Sequence, residues 1–286
     1  MFIKPKTAAE DFSADMLPHT RRQVFFDVCK LHFGKLLLCG FIMLLFSLPL
    51  HFAALFSDLY GISVMEGFNA GEITSEEAYT ALRLQTSTSI AGILFYMLLG
   101  VGLSGLGRII KRLGWEENVT IGGDFFLGVK QNVGQCTLLM FITGVIVLAC
   151  SCVTNPIITG SDYFPGIAAV IICGIVLMPV GAFIMVTIPI YKLKFTKHIK
   201  YAFILYGSNF FKTTAASALC FLPFTIQLIP NLWCVILGRL MSSILSPFVM
   251  LGWFLFTYNL LDKAINKDNY PELVNKGLYI CDTKNN

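Results

Sequence analysis

Leu36–Phe56 reads LLLCGFIMLLFSLPLHFAALF, 21 residues without a formal charge when His51 is neutral. As a helix rising about 1.5 Å per residue it reaches roughly 31 Å, the thickness of a bilayer's hydrocarbon core. In lipid every backbone N–H and C=O needs a partner inside its own segment, so a helix is the expected form. Comparable apolar runs follow at about Thr88–Leu106, Gln135–Thr154, Gly166–Tyr191, Lys212–Ile229 and Ser242–Leu261. The expected fold is therefore all-α, a polytopic membrane bundle of about six transmembrane helices. It occupies residues 20–265, between an N-terminal tail (1–19) and a polar C-terminal tail (266–286).

The composition agrees. The mean hydropathy is +0.72 and only 13% of the 286 residues are charged, where a soluble domain carries about a quarter. The length leaves room for several spans and short loops, and none for a separate soluble domain. Nine cysteines form no CxxC, and most fall inside apolar runs, which reads as small buried apolar residues. Met1–His19 is mixed polar and lacks the apolar core of a signal peptide, so the first span is expected to remain as an anchor.

Helix starts can be read from caps. Thr20 with Gln23, and Thr74 with Glu77, each match a capping box. The first predicts a helix that lies along the headgroups and runs into span one. The second predicts a helix beginning inside the acidic loop Ser57–Ser87, which carries Asp58, Glu66, Glu72, Glu76 and Glu77 against Arg83. Pro49 removes one helical hydrogen bond late in span one and is expected to bend it. Gly100, Gly102 and Gly105 match the GxGxxG spacing. That motif binds a dinucleotide only between a strand and a helix. Closing a membrane span, it predicts close helix packing instead.

Orientation follows from Lys and Arg in the loops. With six spans, one face collects the N-terminal region, the loops after spans two and four and the C-terminal tail, which hold 19 of the 21 basic residues. Only Arg83 and Arg239 fall on the other face, so both termini are expected to be cytoplasmic. These clusters alternate regularly with apolar spans, which makes lipid headgroups, not nucleic acid, their partner.

Three segments align without gaps at the starts of spans one, three and five: FFDVCKLHFGK (Phe25–Lys35), FFLGVKQNVGQ (Phe125–Gln135) and AFILYGSNFFK (Ala202–Lys212). Phe26, Phe126 and Phe203 correspond, as do His32, Asn132 and Asn209. The implied unit is an interfacial amphipathic helix followed by a hairpin of two spans, repeated in parallel.

On Ser47-Leu48-Pro49, Ala53-Ala54-Leu55, Phe126…Asn132 and Phe203…Asn209, the chain resembles the YesL-like family of bacterial integral membrane proteins over most of residues 20–265. It departs from that family at His32 and Gly34, where an Asn and a Trp commonly open the first span. The resemblance implies a bacterial plasma membrane and an association with carbohydrate uptake, with ABC-type solute uptake components as partners. It implies no catalytic residue and no cofactor.

No HExxH, P-loop, GxSxG or carboxylate pair within a span is present, so the common enzyme signatures are missing. The candidates are polar residues near apolar spans, which are costly in lipid without partners. His51, Asn155, Gln227, Asn231 and Arg239 are expected at one height near the outer face, with Asp58 as a partner for Arg239. Together they would line a small outward-facing polar pocket. An accessory membrane protein without its own chemistry is the first functional reading, a small-solute transporter the second and a lipid or glycan enzyme the third.

Overall fold

The structure, a computed structural model, describes residues 17–158, 168–169, 171–222, 225–226, 229 and 232–279. Its described secondary structure is helical, without a strand. The helices are α1 (Arg21–Leu31), α2 (Phe33–Asn69), α3 (Ser75–Gly114), α4 (Ile121–Ile158), α5 (Met178–Ile190), α6 (Phe195–Ser208), α7 (Phe210–Phe221) and α8 (Leu232–Leu261). A π-helical turn, Cys173–Leu177, leads into α5, and another, Asp262–Asn266, extends α8. Five helical segments are long and apolar enough to cross a membrane: Phe33–Asn69, Ile90–Gly114, Ile121–Cys150, Cys173–Ile190 and Leu232–Asn269. The large apolar side chains that face outward suit a lipid solvent. Leu45, Phe52 and Phe56 are 67%, 66% and 72% exposed, a surface that water would strongly disfavour.

Both predicted capping boxes are present. Thr20 and Thr74 accept from the N–H of Gln23 and Glu77, whose side chains return to the cap backbone. At the second cap these bonds hold the Glu77 carboxyl below its usual range. The acidic loop, however, is mostly not a loop. Helix α2 continues to Asn69 and α3 begins at Ser75, so only a tight turn through Gly71 (φ 75°) separates them. Nothing in 57–69 breaks the helix, and the Thr74 cap restarts it at once. Val64 and Ala78 bury each other there, flanked by Ile73 and Ala81.

Small residues set how closely the long helices pack. A Cβ on Gly100 would lie 3.0 Å from Cys136 O, on Gly102 2.8 Å from the Phe46 ring, and on Gly105 2.4 Å from the Phe125 ring. A Cβ on Gly128 would lie 2.9 Å from Ser104 O, on the other side. All of the GxGxxG glycines are thus helix contacts, as the packing reading predicts. Helices α2 and α8 run antiparallel, with Phe33 against Phe248 (centroids 5.5 Å apart) at one end. Gly40 sits against Ile244 along the way.

A helix break occurs at two of the three aligned positions. His32 separates α1 from α2 at φ −120°, ψ 23°, and Asn209 separates α6 from α7 at φ −134°, ψ 33°. The same break falls at the aligned position. At Asn132 it does not: α4 runs unbroken from Ile121, so the separate helix expected before span three is its first turns. The expected fifth span, about Lys212–Ile229, lies partly outside the described residues. Helix α7 has 12 residues, about 18 Å, too short to cross alone, and residues 223–224, 227–228 and 230–231 lie outside those described.

The first and last described segments nevertheless meet at one end of the bundle. Arg21 reaches Asp262 at 2.9 Å, its second arm donates to Lys276 O, and it covers the Tyr258 ring at 4.5 Å. Tyr279 N–H donates to Pro18 O, and Tyr258 OH to Leu273 O. The beginning of the polar tail is therefore folded onto the helices. Lys276 completes the clasp, 3.1 Å from Glu117 and 3.8 Å from the centre of the Trp115 ring.

Candidate functional site

Two polar regions lie at opposite ends of the bundle. The far one contains His51, about 27 Å along α2 from Phe33. His51 and Ser47 are four residues apart, as are Arg239 and Ser243, so each pair shares a helix face. Where α2 meets α8 the faces join. His51 Nε2 lies 2.7 Å from Ser243 Oγ, Ser243 Oγ lies 2.7 Å from Ser47 Oγ, and Ser47 Oγ donates to Leu44 O at 3.1 Å. One assignment uses every hydrogen: His51 Nε2–H donates to Ser243, Ser243 to Ser47, and Ser47 to the carbonyl. Arg239 Nη1 donates to the His51 backbone carbonyl at 3.2 Å.

Of the six candidate pocket residues, the structure describes the side chains of two together. His51 and Arg239 come together, through the backbone of one and the guanidinium of the other. Asp58 and Asn155 belong to α2 and α4, but their side chains lie outside the described ones; Gln227 and Asn231 lie outside the described residues altogether. Ser47 and Ser243 are the members the sequence reading missed. Their i, i+4 spacing to His51 and Arg239 was the available signal.

A serine hydroxyl 2.7 Å from an imidazole invites comparison with a nucleophile and its base. Ser243, however, is buried in mid-helix, where the backbone N–H groups of its own helix are spent in the helical ladder. The relay reads as an interhelix clamp, with Arg239 at its mouth.

The near end is basic. Asp124, in the first turn of α4, accepts Thr120 N–H at 2.9 Å, Arg108 Nε at 3.4 Å, and Arg112 Nη1. It is a buried carboxylate that caps its own helix and ties down two cations. Arg112 also reaches Glu117 at 3.1 Å. Lys111 Nζ donates to Pro189 O, Lys35 Nζ to Val119 O and Gln135 Nε2 to Leu193 O, so the connectors are fastened to the helix ends. His198, buried on α6, lies 3.0 Å from Thr187 Oγ1, and burial lowers its basicity despite an opposing pull from the Leu193 backbone. Burial likewise raises the Tyr191 hydroxyl above its usual range as it donates to Asn266 Oδ1. No group of three or more metal-ligating side chains occurs among the described residues.

These features define the class: an all-helical bundle whose five long apolar helices are compatible with a multi-pass membrane protein. No family model, curated protein or solved structure matches the chain.

Proposed function

We propose that the chain is a non-enzymatic accessory or regulatory component of solute uptake, for carbohydrates as the YesL-like resemblance suggests, in a bacterial plasma membrane. In this reading ABC-type uptake components are its partners and it carries no cofactor. It crosses the bilayer six times, with the apolar run Lys212–Ile229 as the fifth crossing and both termini in the cytoplasm. One observation carries the accessory role. Helices α2 and α3 contain 37 and 40 residues, about 55 and 60 Å, against a hydrocarbon core of about 30 Å. The paired helices thus project roughly 25 Å beyond the lipid, and Glu66, Glu72 and Glu76 are exposed on them and on the turn that joins them. A long acidic arm with a small core of its own is a feature for holding a neighbour, not for performing chemistry. The His51–Ser243–Ser47 relay beside Arg239 favours a second reading, a small-solute transporter with a polar path opening at that end.

One experiment separates the two. Cells lacking the chain are complemented with the intact protein or with a version whose residues 60–86 are replaced by a short turn, its folding checked by tryptophan fluorescence. The accessory role predicts that labelled carbohydrate uptake is restored only by the intact chain, and that proteoliposomes of the chain alone take up nothing. Uptake by those proteoliposomes that is lost in Ser243→Ala favours the transporter. Equal uptake with and without the chain in cells rejects the accessory role.

A further inference from the structure

Arg108 and Lys111 of α3, Lys192 after α5, and the amides Gln131, Asn132 and Gln135 of α4 line a cavity of about 580 Å³ at the basic end. That volume is ordinary for a ligand pocket, where about 300–1,000 Å³ is usual. None of the described lining residues is a carboxylate.

Charge around this cavity is unbalanced. Asp124 is shared by Arg108 and Arg112, and Glu117 by Arg112 and Lys276, so two carboxylates already serve three cations. Lys111 and Lys192 add positive charge without an ion pair among the described residues. Lys111 is held by neutral groups, the Pro189 carbonyl at 2.9 Å and the Trp115 ring at 4.7 Å. The Pro189 bond fixes its ammonium and uses one of three donors. Gln131 Oε1 accepts Arg108 Nη1 at 2.9 Å and so holds that guanidinium against the cavity wall.

A guanidinium fork, two ammonium groups and several amides around one cavity are a donor set for an anion with several acceptor oxygens, and phosphate is such an anion. The cavity also lies where apolar helices give way to basic connectors, the level at which cationic pockets meet lipid headgroups. We propose that it binds a phosphate ester, either the headgroup of an anionic phospholipid or a free phosphorylated small molecule, through Arg108, Lys111 and Lys192. The proposal does not depend on the accessory role.

The test is native mass spectrometry of the detergent-solubilised full chain with phosphatidylglycerol, with phosphatidylcholine, and with glycerol phosphate alone or as competitor. Retention of phosphatidylglycerol over phosphatidylcholine, undisturbed by glycerol phosphate, assigns the site to a lipid headgroup. Binding of glycerol phosphate that displaces the lipid assigns it to a soluble ester. Lys192→Gln, an exposed side chain whose loss leaves the helix contacts intact, is expected to weaken either binding about fivefold. Lys200→Gln, the same charge change at an exposed position of α6, is expected to leave it unchanged. Equal weakening by both variants, or no preference for any phosphate ester carrying net charge, overturns the proposal.

Discussion

Replacing Asp124 by alanine lowers the stability of the folded bundle by about 3 kcal/mol, because removing one partner of a buried ion pair strands the others. Asp124 is only 3% exposed and holds Arg108, Arg112 and the Thr120 N–H together. Its loss therefore uncaps α4 and leaves two partly buried cations without their shared carboxylate. Asp124→Asn keeps an oxygen for the Thr120 N–H but not the charge, and is expected to fall between alanine and the native residue. Denaturant unfolding in detergent micelles, followed by tryptophan fluorescence, measures the difference. An alanine variant as stable as the native chain would show that the two arginines find solvent instead.

The second large effect is expected at Gly40. A Cβ there would lie 2.2 Å from Ile244 O, and both the carbonyl carbon and the Cα of Ile244 are at 2.9 Å. These are backbone atoms of α8, so no rotamer change relieves the clash and the two helices must separate. Gly40→Ala should cost about 3 kcal/mol, the upper part of the usual overpacking range. It should also loosen the neighbouring Ser47–Ser243 bond. Gly34→Ala is the internal control. Nothing lies within 4 Å of a Cβ at Gly34, so the better helix propensity of alanine makes that change neutral or slightly stabilising. Equal midpoints for the two variants would contradict the close crossing of α2 and α8.

Much of this architecture is written in local patterns. Uncharged runs about as long as a bilayer is thick identify the long helices. Thr20 with Gln23 and Thr74 with Glu77 mark two helix starts, because a cap needs only neighbours in sequence. The glycines at 100, 102 and 105 also read correctly, since small residues within a span have packing as their main use. Other features were not local. The continuation of α2 through Asp58 to Asn69 depends on α3 pairing beside it, and acidic composition alone suggested a loop. The unbroken α4 shows the same limit: Asn132 has the sequence position of His32 and Asn209 but not their backbone break.

The site was legible only in half. His51 and Arg239 stand out because a basic group in an apolar run is conspicuous. Ser47 and Ser243 do not, as single hydroxyls are common in membrane helices and can bond their own helix. Only the antiparallel register of α2 and α8 brings the two i, i+4 pairs onto one seam. The basic end was foreseen as a charge cluster, but Asp124 was not foreseen as its organiser. A carboxylate one turn after Thr120 was the clue.

The proposed topology has an even number of crossings, a reading supported by the contact of Arg21 with Asp262 at one end of the bundle. The most direct measurement is protease protection of two epitope tags, one at each terminus, in sealed vesicles of known orientation. Both tags are expected to be cleaved in inside-out vesicles and protected in right-side-out ones. Opposite behaviour of the two tags would mean an odd number of crossings and would contradict the account.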